Sequence, residues 1–153
     1  MIKMFRAFLV LVTIALFGTM ATAQKVPLSK AEALVDKALA HIKAKGADVA
    51  YADFNKPDGG FMDGELYIYV YDLKGNCLAL GVNPKLVGKN LWDIKSSNGV
   101  YQIQELSAQI KAKDVAHVEA EFTNPETKKV QPKILIAKRI PGTDAFVGSG
   151  VYR

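Results

Sequence analysis

Three tyrosines occupy alternate positions in one short segment, at Tyr67, Tyr69 and Tyr71. Side chains two residues apart on a β-strand point to the same face of the sheet, so these phenols form a row along one side of a predicted strand. A phenol donates a hydrogen bond from an otherwise apolar wall, which suits a pocket for a small polar molecule. The pattern also fits a strand packed beneath a helix with its hydroxyls at the edge, so both interpretations stay open.

Two asparagines, Asn83 and Asn90, lie in the long segment that follows this strand and its partner. Their side-chain amides could donate hydrogen bonds to a ligand, and we include Asn83 among the candidate binding residues. Asparagine is also common in turns, where its side chain holds the backbone, and that alternative stays open as well.

Neither a catalytic site nor a metal site is predicted. His41 and His117 have no cysteine, serine or acid nearby in a nucleophile pattern. His117, Glu119 and Glu121 alternate on one predicted strand and could contact a divalent metal, but this arrangement is more often a solvated face. The sequence has no glycine-rich phosphate loop and no zinc-ligand spacing. We therefore expect a protein that is not an enzyme and uses no cofactor.

The N-terminus predicts export through a cleaved signal peptide of residues 1–23. Lys3 and Arg6 precede an apolar run from Ala7 to Phe17, and Ala21-Thr22-Ala23 supplies a small-x-small cleavage pattern. The run is too short to span a membrane, which takes about 20 residues. We expect a periplasmic protein of one domain, residues 24–153, with no membrane span after cleavage.

Charge and cysteine content argue against a nucleic-acid-binding protein and against a disulfide within the chain. The chain carries 20 basic and 15 acidic residues, and without Lys3 and Arg6 the excess is only +3. The lysines alternate with acids and form no basic block, so no nucleic-acid partner is expected. Cys77 is the only cysteine, so it cannot form a disulfide within the chain, and its apolar neighbours predict a buried, inert thiol.

Hydrophobic spacing predicts one long helix and a second, shorter one. Apolar residues at helical spacing indicate a helix over residues 30–45, with Ser29 and Glu32 as a capping box and Gly46 as its C-terminal cap. Residues 47–55 could form another short helix. A further amphipathic helix is predicted to begin near Asn98.

The remaining segments alternate with the period of two that is typical of strands. Residues 66–71 and 77–82 form a predicted hairpin, and three more strands are predicted at residues 115–122, 133–140 and 145–152. Short turns between strands require antiparallel pairing. The expected fold class is α+β, a sheet of about five antiparallel strands with a single helical layer over one face.

Five motifs in order resemble those of single Cache domains. They are Asp63–Gly75 (DGELYIYVYDLKG), Asn83–Leu91 (NPKLVGKNL), Phe122–Pro125 (FTNP), Pro132–Lys133 and Val147–Tyr152 (VGSGVY). The resemblance extends over about residues 29–152. It implies a PAS-like fold with a long N-terminal helix on a central antiparallel sheet. It also implies that the domain senses small ligands outside the cytoplasm, often short carboxylates. The signal would then be transduced through a membrane receptor or sensor kinase.

The chain departs from this family at several pocket positions. Leu80 replaces a histidine found in many relatives, Ala120 and Glu121 stand where an aromatic is common, and Ala145 replaces a tryptophan. These changes remove polar and aromatic groups. They motivate an alternative function, a ligand-free interaction protein that docks on a membrane-bound sensor or an envelope partner.

Lys133 falls where relatives carry a lysine near the ligand. By this resemblance we expect it to pair with a carboxylate, and Lys133→Ala to weaken an anionic ligand about tenfold. A solvated lysine close to Lys128 and Lys129 is the alternative. We predict one enclosed pocket for the ligand between the tyrosine strand and the loop of residues 83–98, because this loop is long for a simple connection.

Overall fold

The computed structural model describes residues 25–153. The predicted signal peptide, residues 1–23, lies outside the described residues. Within the described range, no helix combines the length and the apolar character that crossing a membrane requires.

The described chain alternates helices with antiparallel strands. The helices are α1 (Leu28–Lys45), α2 (Ala47–Phe54) and α3 (Gln102–Lys113), and a 3₁₀-helix spans Pro84–Leu86. The strands are β1 (Met62–Asp63), β2 (Leu66–Tyr67), β3 (Tyr69–Asp72), β4 (Cys77–Leu80), β5 (Val115–Thr123), β6 (Val130–Arg139) and β7 (Ala145–Tyr152). This architecture confirms the predicted α+β, PAS-like fold.

The N-terminus of α1 differs from its prediction. The helix begins at Leu28 with Pro27 in the capping position, and no side chain caps it, so the expected capping box of Ser29 and Glu32 is wrong. Ser29 already lies in the first turn, where its side chain is no longer at the capping position. The C-terminal cap is confirmed: Gly46 has a φ of 83° and its N–H donates to the Ile42 carbonyl.

The five-stranded sheet has the order β4-β3-β7-β6-β5, and all its pairs are antiparallel. The predicted strand of residues 66–71 is divided into β2, which pairs with β1, and β3, which enters the large sheet between β4 and β7. The C-terminal strand β7 therefore lies at the centre of the sheet, which only long-range pairing could establish.

Helices cover both faces of the sheet, so the expected single helical layer is wrong. On one face, α1 and α2 pack over a core that includes Ile68, Val70 and Val147. On the opposite face, α3 packs over Tyr69, Leu135 and other buried residues. We call this second side the pocket face, because the candidate site lies there. The three candidate tyrosines belong to it and do not lie under α1.

Candidate functional site

A cavity of about 270 Å³ opens on the pocket face. The sheet supplies its floor, the loop of residues 83–98 one wall and the start of α3 another. Its lining combines apolar side chains with a few uncharged polar ones. The lining residues are Tyr67, Tyr69, Tyr71, Leu80, Val82, Asn83, Leu86, Leu91, Ile94, Gln102, Ile103, Leu106, Phe122, Thr123 and Leu135. Val82 and Ile94 are 40% and 45% exposed and mark the mouth, so the cavity is open to solvent at one side.

Tyr69 anchors the floor of the cavity. Its hydroxyl donates to the Ile136 carbonyl over 2.8 Å, and this bond is buried. The ring lies against Gly148, where a Cβ atom would overlap both the ring and the Ile136 carbonyl. Gly148 is therefore needed for the close approach of Tyr69 to β7. Because its hydroxyl is already engaged by the backbone, Tyr69 contributes ring surface to the site.

Tyr67 and Tyr71 flank Tyr69 along the same row and are also buried. Burial raises the pKa of both phenols, with Tyr152 adding to the effect at Tyr67 and Cys77 at Tyr71. Both side chains are therefore neutral at physiological pH and can act as hydrogen-bond donors. The predicted row of phenols is present, and its members differ. The Tyr69 hydroxyl is bonded to the backbone, whereas the hydroxyls of Tyr67 and Tyr71 can donate to a ligand.

Lys133 is buried on the pocket face but is not part of the cavity lining. Only 1% of the residue is exposed, and its Nζ lies 3.9 Å from the centre of the Tyr67 ring and 4.6 Å from that of Tyr152. Loss of hydration lowers the pKa of the ammonium to about 7, against a smaller raising effect of Glu65. The ammonium thus lies beside the cavity, with the Tyr67 ring belonging to both.

Hydrogen bonds tie the surroundings of Lys133 together. The Tyr152 N–H donates to Glu65 Oε1 over 3.1 Å, and Asn124 Nδ2 donates to Glu65 Oε2 over 3.3 Å. The Tyr152 hydroxyl donates to the Thr123 carbonyl over 3.0 Å, and Thr123 also lines the cavity. The alternative of a solvated lysine does not describe this buried arrangement. The predicted role of Lys133 in carboxylate binding stays a prediction.

Hydrogen bonds of the Asn90 side chain hold the loop of residues 83–98 against the rest of the fold. Asn90 Nδ2 donates to the Lys74 carbonyl and to Asn76 Oδ1, each over 2.9 Å, and Asn90 Oδ1 accepts from the Trp92 N–H. Asn90 therefore holds the loop, as the second interpretation of the asparagines proposed. Gly75, with a φ of 88°, allows Trp92 to approach so closely that a Cβ there would lie 2.9 Å from it.

Asn83 lies at the other end of this loop and does line the cavity. The residue is exposed, and its N–H donates to the Leu80 carbonyl over 3.0 Å. Leu80, one of the family departures, also lines the cavity and contributes an apolar side chain. Asn83 therefore lies near the mouth, so only the outward-facing end of a bound ligand would contact it.

Gln102, the first residue of α3, is a cavity residue that the sequence analysis missed. It is 7% exposed, and its Oε1 has no hydrogen-bond partner within residues 25–153. The sequence does contain a signal for it. Gln102 is four residues before Leu106, so both lie on the same side of the helix as the apolar stripe.

The candidate histidines are placed apart from the cavity. His41 on α1 has its Nε2 2.9 Å from Oδ2 of Asp53 on α2, and His117 is exposed on β5. In the described part of the chain, no group of three or more potential metal ligands is close enough to hold a metal ion.

A sheet covered by a long N-terminal helix on one face, with a cavity under a long loop on the other, defines the PAS-like class of sensor and binding domains. The chain belongs to the single Cache domain family. The family model for Single Cache domain 2 matches residues 19–153, a range that includes the whole predicted mature chain of residues 24–153.

Solved structures share this fold at low sequence identity. A methyl-accepting chemotaxis protein from Vibrio parahaemolyticus is 23% identical, with a TM-score of 0.71 over 81% of this chain and 86% of that one. A Cache chemosensory domain described for carboxylic acid recognition is 22% identical, with a TM-score of 0.67 over 81% of this chain and 91% of that one. The periplasmic sensor domain of a chemotaxis protein is 24% identical, with a TM-score of 0.63 over 81% and 88%. A comparison with curated proteins finds no significant match.

Proposed function

We propose that this protein is a periplasmic sensing module that binds a small molecule in the cavity on the pocket face. The observation that carries the proposal is the cavity itself. It is walled by the tyrosine row, the loop of residues 83–98 and α3, and it combines apolar surface with a few uncharged polar groups. Such a combination is typical of sites that bind small ligands.

The size of the cavity favours a small ligand. Its volume of about 270 Å³ lies just below the usual range of ligand pockets, which is about 300–1,000 Å³. Leu80, Leu91 and Leu106 would contact an apolar body, while the polar groups would orient a single polar end. A short organic acid or a similar polar metabolite fits these dimensions. The carboxylic acid recognised by one structural relative supports the same ligand class.

Location and partner belong to this proposal as well. The predicted signal peptide of residues 1–23 would deliver the domain to the periplasm, and a ligand-dependent contact with a membrane receptor or sensor kinase would pass the signal on. Detection of a mature N-terminus at Gln24 in a periplasmic fraction tests the export step. A retained leader would contradict it.

A thermal-shift screen of short carboxylates, amides, alcohols and amino acids tests ligand binding. A bound ligand stabilises the native state in proportion to ln(1 + [L]/Kd), so a true ligand raises the melting temperature in a dose-dependent way. No shift with any compound at millimolar concentration would count against the proposal.

Two exposed valines, Val82 just before the loop and Val87 within it, offer a matched control. Val82 and Val87 are both 40% exposed, but only Val82 lines the cavity. We expect Val82→Trp to block the mouth and abolish the shift, and Val87→Trp to leave it unchanged. Equal shifts in both variants would place the ligand elsewhere.

The second candidate function is a ligand-free interaction protein. Three exposed apolar side chains favour it, those of Val82 and Ile94 at the mouth and that of Val87 on the loop, since such residues commonly take part in contacts between proteins. This function predicts no thermal shift in the screen, and loss of partner binding in both tryptophan variants.

A further inference from the structure

Gln102 lines the cavity, and its side chain holds a buried hydrogen-bond acceptor. Oε1 is inaccessible to solvent and has no donor partner among residues 25–153, although the residue lines the cavity. Buried polar atoms in folded proteins are nearly always hydrogen-bonded, because an unpaired one is costly. A rotation of the Gln102 amide toward the cavity would let a bound molecule supply the missing donor.

The walls around Gln102 carry no charge. Within the described range, the cavity lining contains no aspartate, glutamate, lysine, arginine or histidine. Ile103 and Leu106 are its buried neighbours on α3. The ammonium of Lys133 packs against the rings of Tyr67 and Tyr152 and is not in the lining. An ionised head group would leave water for a neutral wall, which is unfavourable unless the charge is paired.

We infer that Gln102 determines which head group the cavity accepts, and that it selects an uncharged group with a hydrogen-bond donor, such as a primary amide or an alcohol, on a short apolar body. This inference rests on the proposed function, because it requires the cavity to bind a ligand, and of the two ligand classes proposed there it selects the uncharged polar metabolite over the organic acid. A primary amide can donate to Oε1 and accept from Nε2 of the same side chain, whereas an ionised carboxylate has acceptors only and leaves Oε1 without a donor.

Three probes of similar size separate charge from hydrogen bonding. Butyramide is neutral and both donates and accepts, butyrate is charged at pH 7.5 and accepts only, and 2-pentanone is neutral and accepts only. Their affinities for the wild-type protein and for Gln102→Leu are measured by ligand-observed NMR. The leucine variant removes the amide at similar volume, and it should fold because it replaces an unpaired polar group by an apolar one.

We expect wild-type protein to bind butyramide about tenfold more tightly than either other probe, which is equivalent to about 1.4 kcal/mol. Gln102→Leu should lose most of this preference, while its affinity for 2-pentanone stays within about twofold of the wild-type value. This pattern would not arise from a merely structural role of Gln102, since a structural defect would weaken all three probes together.

Two results would overturn the inference. The first is butyrate binding at least as tightly as butyramide, with an affinity that Gln102→Leu does not change. A loss of butyrate binding in Lys133→Met would then assign head-group selection to Lys133. The second is that none of the three probes binds at up to about 10 mM. In that case the wider thermal-shift screen, with Val82→Trp and Val87→Trp, decides separately whether the cavity binds any ligand.

Discussion

Replacing Lys133 by methionine should change how the stability of this protein depends on pH. Methionine is apolar and close in length to the lysine stem, so the substitution removes the ammonium with little loss of packing. Burial lowers the pKa of this ammonium from 10.5 to about 7. The titratable groups that face it are Glu65, Tyr67 and Tyr152, and the pKa values of both tyrosines are raised, so neither supplies a negative charge near neutral pH.

The direction of the effect follows from proton counting. Between pH 7 and pH 10.5 the unfolded chain keeps the Lys133 proton and the folded chain has lost it, so the free energy of unfolding rises with pH across this window. Below pH 7 both states hold the proton, and the cost of burying the charge is fully present. From pH 6 to pH 9 the free energy of unfolding rises by about 2.7 kcal/mol, because it gains about 1.36 kcal/mol for each of the two pH units between pH 7 and pH 9.

Urea unfolding of the wild-type protein and Lys133→Met at pH 6, 7, 8 and 9 measures this change. The stability of the variant relative to the wild type should be greatest at pH 6 and should fall by roughly 2–3 kcal/mol by pH 9. All other titrations cancel in the difference. Lys129→Met, at an exposed position, is the control and should show a difference that does not vary with pH. A constant difference for Lys133→Met as well would refute the reasoning.

Three further predictions concern the pocket face. Gly148→Ala should lower the free energy of unfolding by about 2 kcal/mol or more, because the added methyl group overlaps Tyr69 and the Ile136 carbonyl; an unchanged urea midpoint would contradict this close packing. Tyr69→Phe should cost about 1–2 kcal/mol by removing the buried hydrogen bond to the Ile136 carbonyl, and a stability equal to that of the wild type would show that the bond contributes nothing. Cys77 should react with a thiol reagent at pH 8 only after unfolding, because it is fully buried and burial raises its pKa to about 11; rapid reaction of the native protein would disprove this.

The elements of this fold were largely predictable because their signals are local. The helical spacing of apolar residues before Gly46 and the alternation in the C-terminal strands reflect contacts that each segment makes along its own length. The start of α1 was not predictable in this way, because several neighbouring residues could have occupied the capping position. In the structure Pro27 occupies it. Short strands such as Met62–Asp63 give almost no pattern and were missed.

By itself, the sequence determined the α+β class, the approximate strands and helices, and the row of phenols that forms part of the cavity. Only the tertiary structure decided which groups in that row remain available. The order β4-β3-β7-β6-β5 brings Ile136 and Gly148 to Tyr69, and Tyr67 and Tyr152 to Lys133. It likewise took the packing of α3 to bring Gln102 into the cavity. These contacts join positions far apart in the chain, and local periodicity carries no information about which distant strand becomes a neighbour.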